Sequence, residues 1–202
     1  MTAASMPAAP AAAPARRPLA RAVWGMWMLI LTEAMIFGAL IGSYFYVRAG
    51  SSPWPPEGIE EPELTRIALF SLVLLGSSVP MWWAERSIKR GRRGGLQLGL
   101  AVAWLMGAVF FANQVAEYRS LGFSYRDNVY GSLFYGITGL HGAHLVIGLV
   151  MNGLVQVKAG LGRFSERRHL TVEVVSLYWH FVDAVWIVVF SSLYLSPHLI
   201  RS

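Results

Sequence analysis

Apolar and polar positions alternate along this chain in long blocks. Five stretches reach the roughly 20 mostly apolar residues that a helix needs to cross a hydrocarbon core. They run about 23–47, 64–84, 96–116, 129–157 and 170–195. The connections are short and carry turn or charge signals: Ser51-Ser52-Pro53-Trp54-Pro55-Pro56, Lys89-Arg90-Gly91-Arg92-Arg93-Gly94-Gly95, Arg126-Asp127-Asn128 and Gly160-Leu161-Gly162-Arg163. None is long enough to fold by itself. The pattern predicts an all-α membrane protein, a single five-helix transmembrane bundle over residues 21–202. Residues 1–20 are mostly Ala and Pro and are expected to form a disordered tail. They lack the order of charge and then a short apolar region that marks a signal peptide.

Composition supports this reading and removes others. Of the 202 residues 55% are hydrophobic and only 14% charged, and the mean hydropathy is +0.47. A soluble domain carries about a quarter charged residues. There is no Cys, which excludes disulfide scaffolds and thiolate metal sites. The net charge of +6 does not point to nucleic acid, because the basic residues fall in short clusters between spans. Arg16, Arg17 and Arg21 precede the first span. Arg86, Lys89, Arg90, Arg92 and Arg93 follow the second, and Lys158, Arg163, Arg167 and Arg168 follow the fourth. Only Arg48, Arg66, Arg119, Arg126 and Arg201 fall on the other side, with the acidic run Glu57, Glu60, Glu61 and Glu63. The positive-inside bias predicts a cytoplasmic N-terminus and a periplasmic or extracellular C-terminus.

Ionisable groups near mid-membrane cost roughly 2.5–3.5 kcal/mol on insertion scales, so they carry the information here. Glu33 sits in the first span, His141 and His144 in the fourth, and Glu173, His180 and Asp183 in the fifth. Glu117 ends the third. By helical spacing Glu173, Ser176, His180, Asp183 and Tyr194 share one face, as do Thr138, His141, His144, Gly148 and Asn152. Two such stripes on consecutive antiparallel helices are expected to face each other. Gly38 and Gly42, with Gly136, Gly139 and Gly142, would permit close backbone approach. Ser71, Ser77, Ser78 and Pro80 suggest a kink whose freed backbone groups the hydroxyls satisfy. Trp24, Trp54, Trp82, Trp83, Tyr118, Tyr125 and Tyr130 read as interfacial belts.

No metal site is expected. The pairs His-x-x-His and His-x-x-Asp are not the Glu-x-x-His of a di-iron bundle. His141 and His144 share a face and cannot be trans haem ligands of each other, although either could oppose His180; interhelical hydrogen bonding is their expected role. Two readings stand for Glu33: a proton-responsive or lipid-facing carboxyl, or a buried neutral acid that fixes helix register. Arg163, Arg168 and His169 are candidates for lipid headgroups. No phosphate loop, nucleotide motif or nucleophile–base pair is present, so no catalytic residues are assigned.

Tyr178-Trp179-His180-Phe181-Val182-Asp183-Ala184-Val185-Trp186 resembles the signature helix of cytochrome c oxidase subunit III. Thr138-Gly139-Leu140-His141-Gly142-Ala143-His144, Asp127-Asn128-Val129-Tyr130-Gly131-Ser132 and Thr32-Glu33-Ala34-Met35-Ile36-Phe37 resemble further segments of that family, in order and at its spacing. The likeness covers about residues 22–196 and is closest to the short five-helix bacterial form, which lacks the first two of seven helices. It implies a non-redox core subunit of a terminal oxidase in the bacterial plasma membrane. That subunit packs on subunit I, binds phospholipid and supports proton uptake. Haem and copper would then reside in subunits I and II, with cytochrome c as donor to the complex. Glu33 matches the family's carbodiimide-reactive carboxyl. Alternatives are the third subunit of a quinol oxidase, a nitric oxide reductase accessory protein, or a stand-alone proton-coupled transporter.

Overall fold

The computed structural model describes residues 18–56, 58–59 and 63–199. The expected tail at 1–17 and most of the acidic run lie outside these residues. Residues 18–20, expected to end the tail, open the first helix instead. The helices are α1 (Pro18–Ala49), α2 (Leu64–Gly76), α3 (Ser78–Lys89), α4 (Arg93–Ser120), α5 (Val129–Gly160) and α6 (Leu170–Phe190). A π-helical stretch, Ser191–Leu195, leads from α6 into the short α7 (Ser196–Leu199). Among the described residues five helices are long and apolar enough to cross a membrane: Arg21–Ala49, Leu64–Lys89, Arg93–Ser120, Val129–Gly160 and Leu170–Leu199. These are the five expected spans, each extended at one or both ends, with α2 and α3 together forming the second.

The second span is interrupted at Ser77 for a local reason. Pro80 has no N–H to return to the Gly76 carbonyl four residues back. The kink is therefore where Pro80 placed it. Its hydroxyls do different work from that expected, however, and bond to the fifth span. At the ends of the second and fourth spans, Gly91 (φ 73°) and Gly162 (φ 70°) adopt the left-handed conformation that an L-residue resists. Arg92 N–H bonds to Ser87 O and Gly91 N–H to Ile88 O; Arg163 N–H to Lys158 O and Gly162 N–H to Ala159 O repeat the motif. Both tight turns thus close the last carbonyls of a helix in the same way. The start of α5 is capped by Asn128, whose Oδ1 accepts from Gly131 N–H at 2.8 Å.

The last span is the hub. α6 packs against α5, α1, α3 and α2, whereas α1 touches only α6 and α5 substantially and leaves most of its surface to lipid or a partner. Tight crossings fall elsewhere than expected. A Cβ built on Gly38, Gly42 or Gly136 meets nothing within 4 Å, on Gly139 only the Tyr118 hydroxyl and on Gly142 only the edge of the Phe111 ring. The close approach is made by Gly99 of α4, where a Cβ would stand 2.6 Å from the Pro80 carbonyl oxygen and 2.7 Å from Ala84 Cβ. Small residues on α3 and α4 let these backbones meet, which substitutes for the hydrophobic drive that lipid removes.

The aromatic residues also divide. Trp24, Trp82, Trp83 and Tyr125 are exposed near span ends, as a belt requires, while Tyr118 is half-buried. Trp54 and Tyr130 are buried instead. The loop after α1 folds back, Trp54 Nε1 donates to Tyr44 Oη at 3.1 Å, and the Trp54 ring meets Tyr130 edge-on at 5.4 Å. Arg48 closes the same end, with Nη1 donating to Ser196 Oγ at 2.6 Å.

Candidate functional site

The expected single seam between the fourth and fifth spans is not what forms. The polar groups instead divide into four local constellations, because each span has several neighbours rather than one. The first joins α1 and α5. His144 Nδ1 lies 2.8 Å from the Leu140 carbonyl oxygen and Nε2 lies 3.1 Å from Glu33 Oε2. A carbonyl only accepts, so Nδ1 carries a proton. Nε2 then either accepts from a protonated Glu33 or, on an imidazolium, donates to the carboxylate. In both states one proton is shared and the pair has no net charge. That makes it tolerable in the membrane. The Phe37 ring packs edge-on to His144 at 5.3 Å. The Glu33 side chain remains 25% exposed, so it is reachable from the lipid side rather than enclosed.

The second constellation joins the kinked second span to the fifth. Ser78 Oγ donates to Asp183 Oδ2 and lies 2.9 Å from His180 Nδ1. One turn to either side, Trp179 Nε1 donates to Ser77 Oγ and Trp186 Nε1 to Ser71 Oγ, both at 2.8 Å. The serines noted for the kink are thus the acceptors of two indoles and the partner of a buried carboxyl. A pair of Trp and an Asp at helical spacing on one span, and three Ser on another, were both visible in the sequence. Their pairing was not.

The third is an ion cluster at one end of the bundle. Lys89 Nζ lies 2.6 Å from Glu85 Oε1 and 2.9 Å from Glu173 Oε1, and His169 Nε2 lies 3.3 Å from the same Glu173 oxygen. Glu173 thus belongs to this end cluster rather than to a mid-membrane seam. Of the headgroup candidates, Arg163 and Arg168 are exposed in the loop that leads into α6, while His169 is half-buried and engaged. The fourth lies towards the opposite end. Glu117, placed near an interface by sequence alone, is 5% exposed, and neither carboxyl oxygen has a hydrogen-bond partner among the described residues. Tyr118 and Thr138 bond hydroxyl to hydroxyl at 2.6 Å close by. Outside these four and nearer the ion-cluster end, Asn152 donates to the Leu100 carbonyl on α4 at 3.3 Å.

His141 stands apart from all four. It is 1% exposed, packed on Phe110 at 6.3 Å and on Trp186 at 4.8 Å, and both ring nitrogens are without a partner among the described residues. A buried polar group left unpaired costs about 1–3 kcal/mol, and an apolar group of similar shape removes that cost. His141→Leu is therefore expected to leave the melting temperature of the complex unchanged or raised. His144→Leu, which strands Glu33, should lower it. A marked loss in His141→Leu alone would show that the imidazole has a partner from outside this chain.

A helical chain that crosses a membrane five times and settles its intramembrane charges in local pairs is a multi-pass membrane protein of a helical bundle class. Among its described residues no three His, Cys, Asp or Glu side chains come together to hold a metal ion. Residues 19–197 match the family model described as cytochrome c oxidase subunit III. The chain is 36% identical over 174 residues to the cytochrome c oxidase subunit 3 of Thermostichus vulcanus, covering 86% of each chain. It is equally similar to that of Synechocystis, covering 75% of it, and 33% identical over 177 residues to that of Oryctolagus cuniculus, covering 68% of it. The chain belongs to the cytochrome c oxidase subunit III family, whose members are subunits of an oxidoreductase complex.

Proposed function

We propose that this chain is a non-redox core subunit of a bacterial terminal oxidase. It packs on subunit I, contributes to the stability of the assembly, binds phospholipid and supports proton uptake. Haem and copper belong to subunits I and II, and cytochrome c donates electrons to the complex, not to this chain. The N-terminus faces the cytoplasm and the C-terminus the periplasm of the plasma membrane. The ion cluster of Lys89, Glu85 and Glu173 then lies at the cytoplasmic end, with the exposed Arg163 and Arg168 able to meet anionic lipid heads and His169 held on Glu173. The observation that carries this reading is the family match over residues 19–197.

Its test is co-purification. The tagged chain, extracted in mild detergent, should bring down two larger subunits and a reduced-minus-oxidised haem spectrum, and the preparation should oxidise cytochrome c. A colourless chain without partners, under conditions that preserve complexes, refutes the proposal. Turnover of quinol but not cytochrome c corrects the donor.

Glu33 gives a second check. Its partial exposure to lipid, beside His144, suits attack by an apolar carbodiimide on the protonated carboxyl. Labelling of the purified complex should be found at Glu33 and vanish in Glu33→Gln. Labelling that persists in this variant removes Glu33 from the role.

A further inference from the structure

The ion cluster and the Glu33–His144 pair leave one chain of exchangeable groups without a use. It consists of Ser176, His180 and Asp183 on α6 with Ser78 on α3. With Asp183 ionised, counting protons fixes its direction. The Ser78 hydroxyl has one proton, which it donates to Asp183 Oδ2. Its oxygen must then accept from His180 Nδ1, 2.9 Å away, so a neutral ring carries its proton on Nδ1. His180 Nε2 is left as an acceptor and faces Ser176 Oγ at 3.4 Å. Every donor points the same way, from Ser176 towards Asp183.

The two ends of this file differ. Ser176 lies one turn from Glu173 on the same helix, and Glu85 of the second span is within electrostatic reach of His180. The ion cluster is thus about two turns, or roughly 10 Å, from the imidazole. The far end is closed. Asp183 is 5% exposed, and its second oxygen, Oδ1, is buried without a partner among the described residues. The neighbouring indoles of Trp179 and Trp186 point their N–H groups at Ser77 and Ser71 and offer no acceptor for a proton. A hydrogen-bonded clamp needs only one such contact. This file has an ordered set of donors and a terminal carboxylate, and its Ser176 end lies one helical turn from Glu173.

We propose that Ser176, His180 and Ser78 form a proton relay that loads Asp183 from the end of the bundle bearing Lys89 and Glu173. That the source is the cytoplasm rests on the topology and the proton-uptake role proposed above. A proton handed to His180 Nε2 makes the imidazolium. The Nδ1 proton moves to Ser78 Oγ as the hydroxyl proton of Ser78 moves to Asp183 Oδ2. The carboxylate ends protonated, Ser78 again has one proton, and His180 is neutral with its proton on Nε2. No other bond changes. The reverse passage discharges the site.

The experiment is hydrogen–deuterium exchange followed by infrared spectroscopy on the purified complex. A protonated carboxyl band that disappears in Asp183→Asn assigns the group, and the rate of its shift after transfer to D2O reads the relay. Loss of a positioned proton-transfer group costs on the order of 10²-fold in rate. His180→Gln and Ser78→Ala should slow the exchange by that order, and Ser78→Thr, which keeps a hydroxyl, should not. If Ser78→Ala fails to assemble, the contrast between His180→Gln and Ser78→Thr decides. Unchanged exchange in His180→Gln, or no band assignable to Asp183, overturns the relay. Proton uptake measured on the same complexes separates the two readings. Slowed exchange with normal uptake keeps the relay and removes its cytoplasmic role, whereas normal exchange with slowed uptake removes the relay alone.

Discussion

Trp186→Ala is expected to release this subunit from its complex well below the wild-type melting temperature. Trp186 is fully buried, with its ring 4.8 Å from both Phe110 and His141 and 6.0 Å from Tyr194. Truncating a buried Trp costs about 3–5 kcal/mol through lost contacts and the cavity left behind. The indole N–H to Ser71 is a smaller part of this. Intramembrane side-chain hydrogen bonds average about 0.6 kcal/mol, and a freed serine hydroxyl can turn back to its own helix. Trp186→Phe should therefore recover most of the lost stability. Thermal release from the complex, followed by gel filtration, measures both variants. Equal losses in the two would mean that the hydrogen bond, not the packing, holds the last span.

Gly99→Val should prevent the second and third spans from closing. The new Cβ would sit 2.6 Å from the carbonyl oxygen of Pro80 and 2.7 Å from the Ala84 side chain. Neither neighbour is the end of a flexible chain that could swing aside. The helices must part, at a cost of about 1–3 kcal/mol or more for an overpacked core. The Ser77 and Ser78 contacts to the fifth span would be displaced with them. Gly38→Ala and Gly42→Ala, where a Cβ meets nothing within 4 Å, serve as controls and should assemble normally. The yield of tagged complex separates these outcomes, and a normal yield of Gly99→Val would falsify the assigned crossing.

The sequence was legible wherever an answer depended on one helix at a time. The five crossings follow from apolar length, though each helix runs past the apolar stretch, and the break at Ser77 follows from Pro80. The ends of the second and fourth spans follow from Gly91 and Gly162, whose backbone only glycine adopts readily. Mid-span position also picked out polar residues that make interhelical contacts: Glu33, His144, His180 and Asp183. What periodicity could not supply is the neighbour. It gives a face but not the helix that covers it, and the nearest helix in sequence was the wrong choice for three of these four. His144 turns to the first span, and His180 and Asp183 turn to the second.

The same limit explains Trp54, Tyr130 and Gly38. Aromatics near span ends suit a belt, yet a Pro-rich loop that folds inward buries Trp54 between Tyr44 and Tyr130. A Gly-xxx-Gly pattern permits close approach without requiring it, and here the open first span does not use it. By itself, then, the sequence determined the class of the protein, its five crossings and the set of polar side chains that lipid makes costly. Those are properties of single segments in a bilayer, set by length, hydropathy and local backbone chemistry. Only the tertiary structure decided which segment each polar face meets. With five helices of similar hydropathy, lipid favours no one pairing. The choice falls to short-range fit: a glycine against a proline carbonyl, and a serine under an indole.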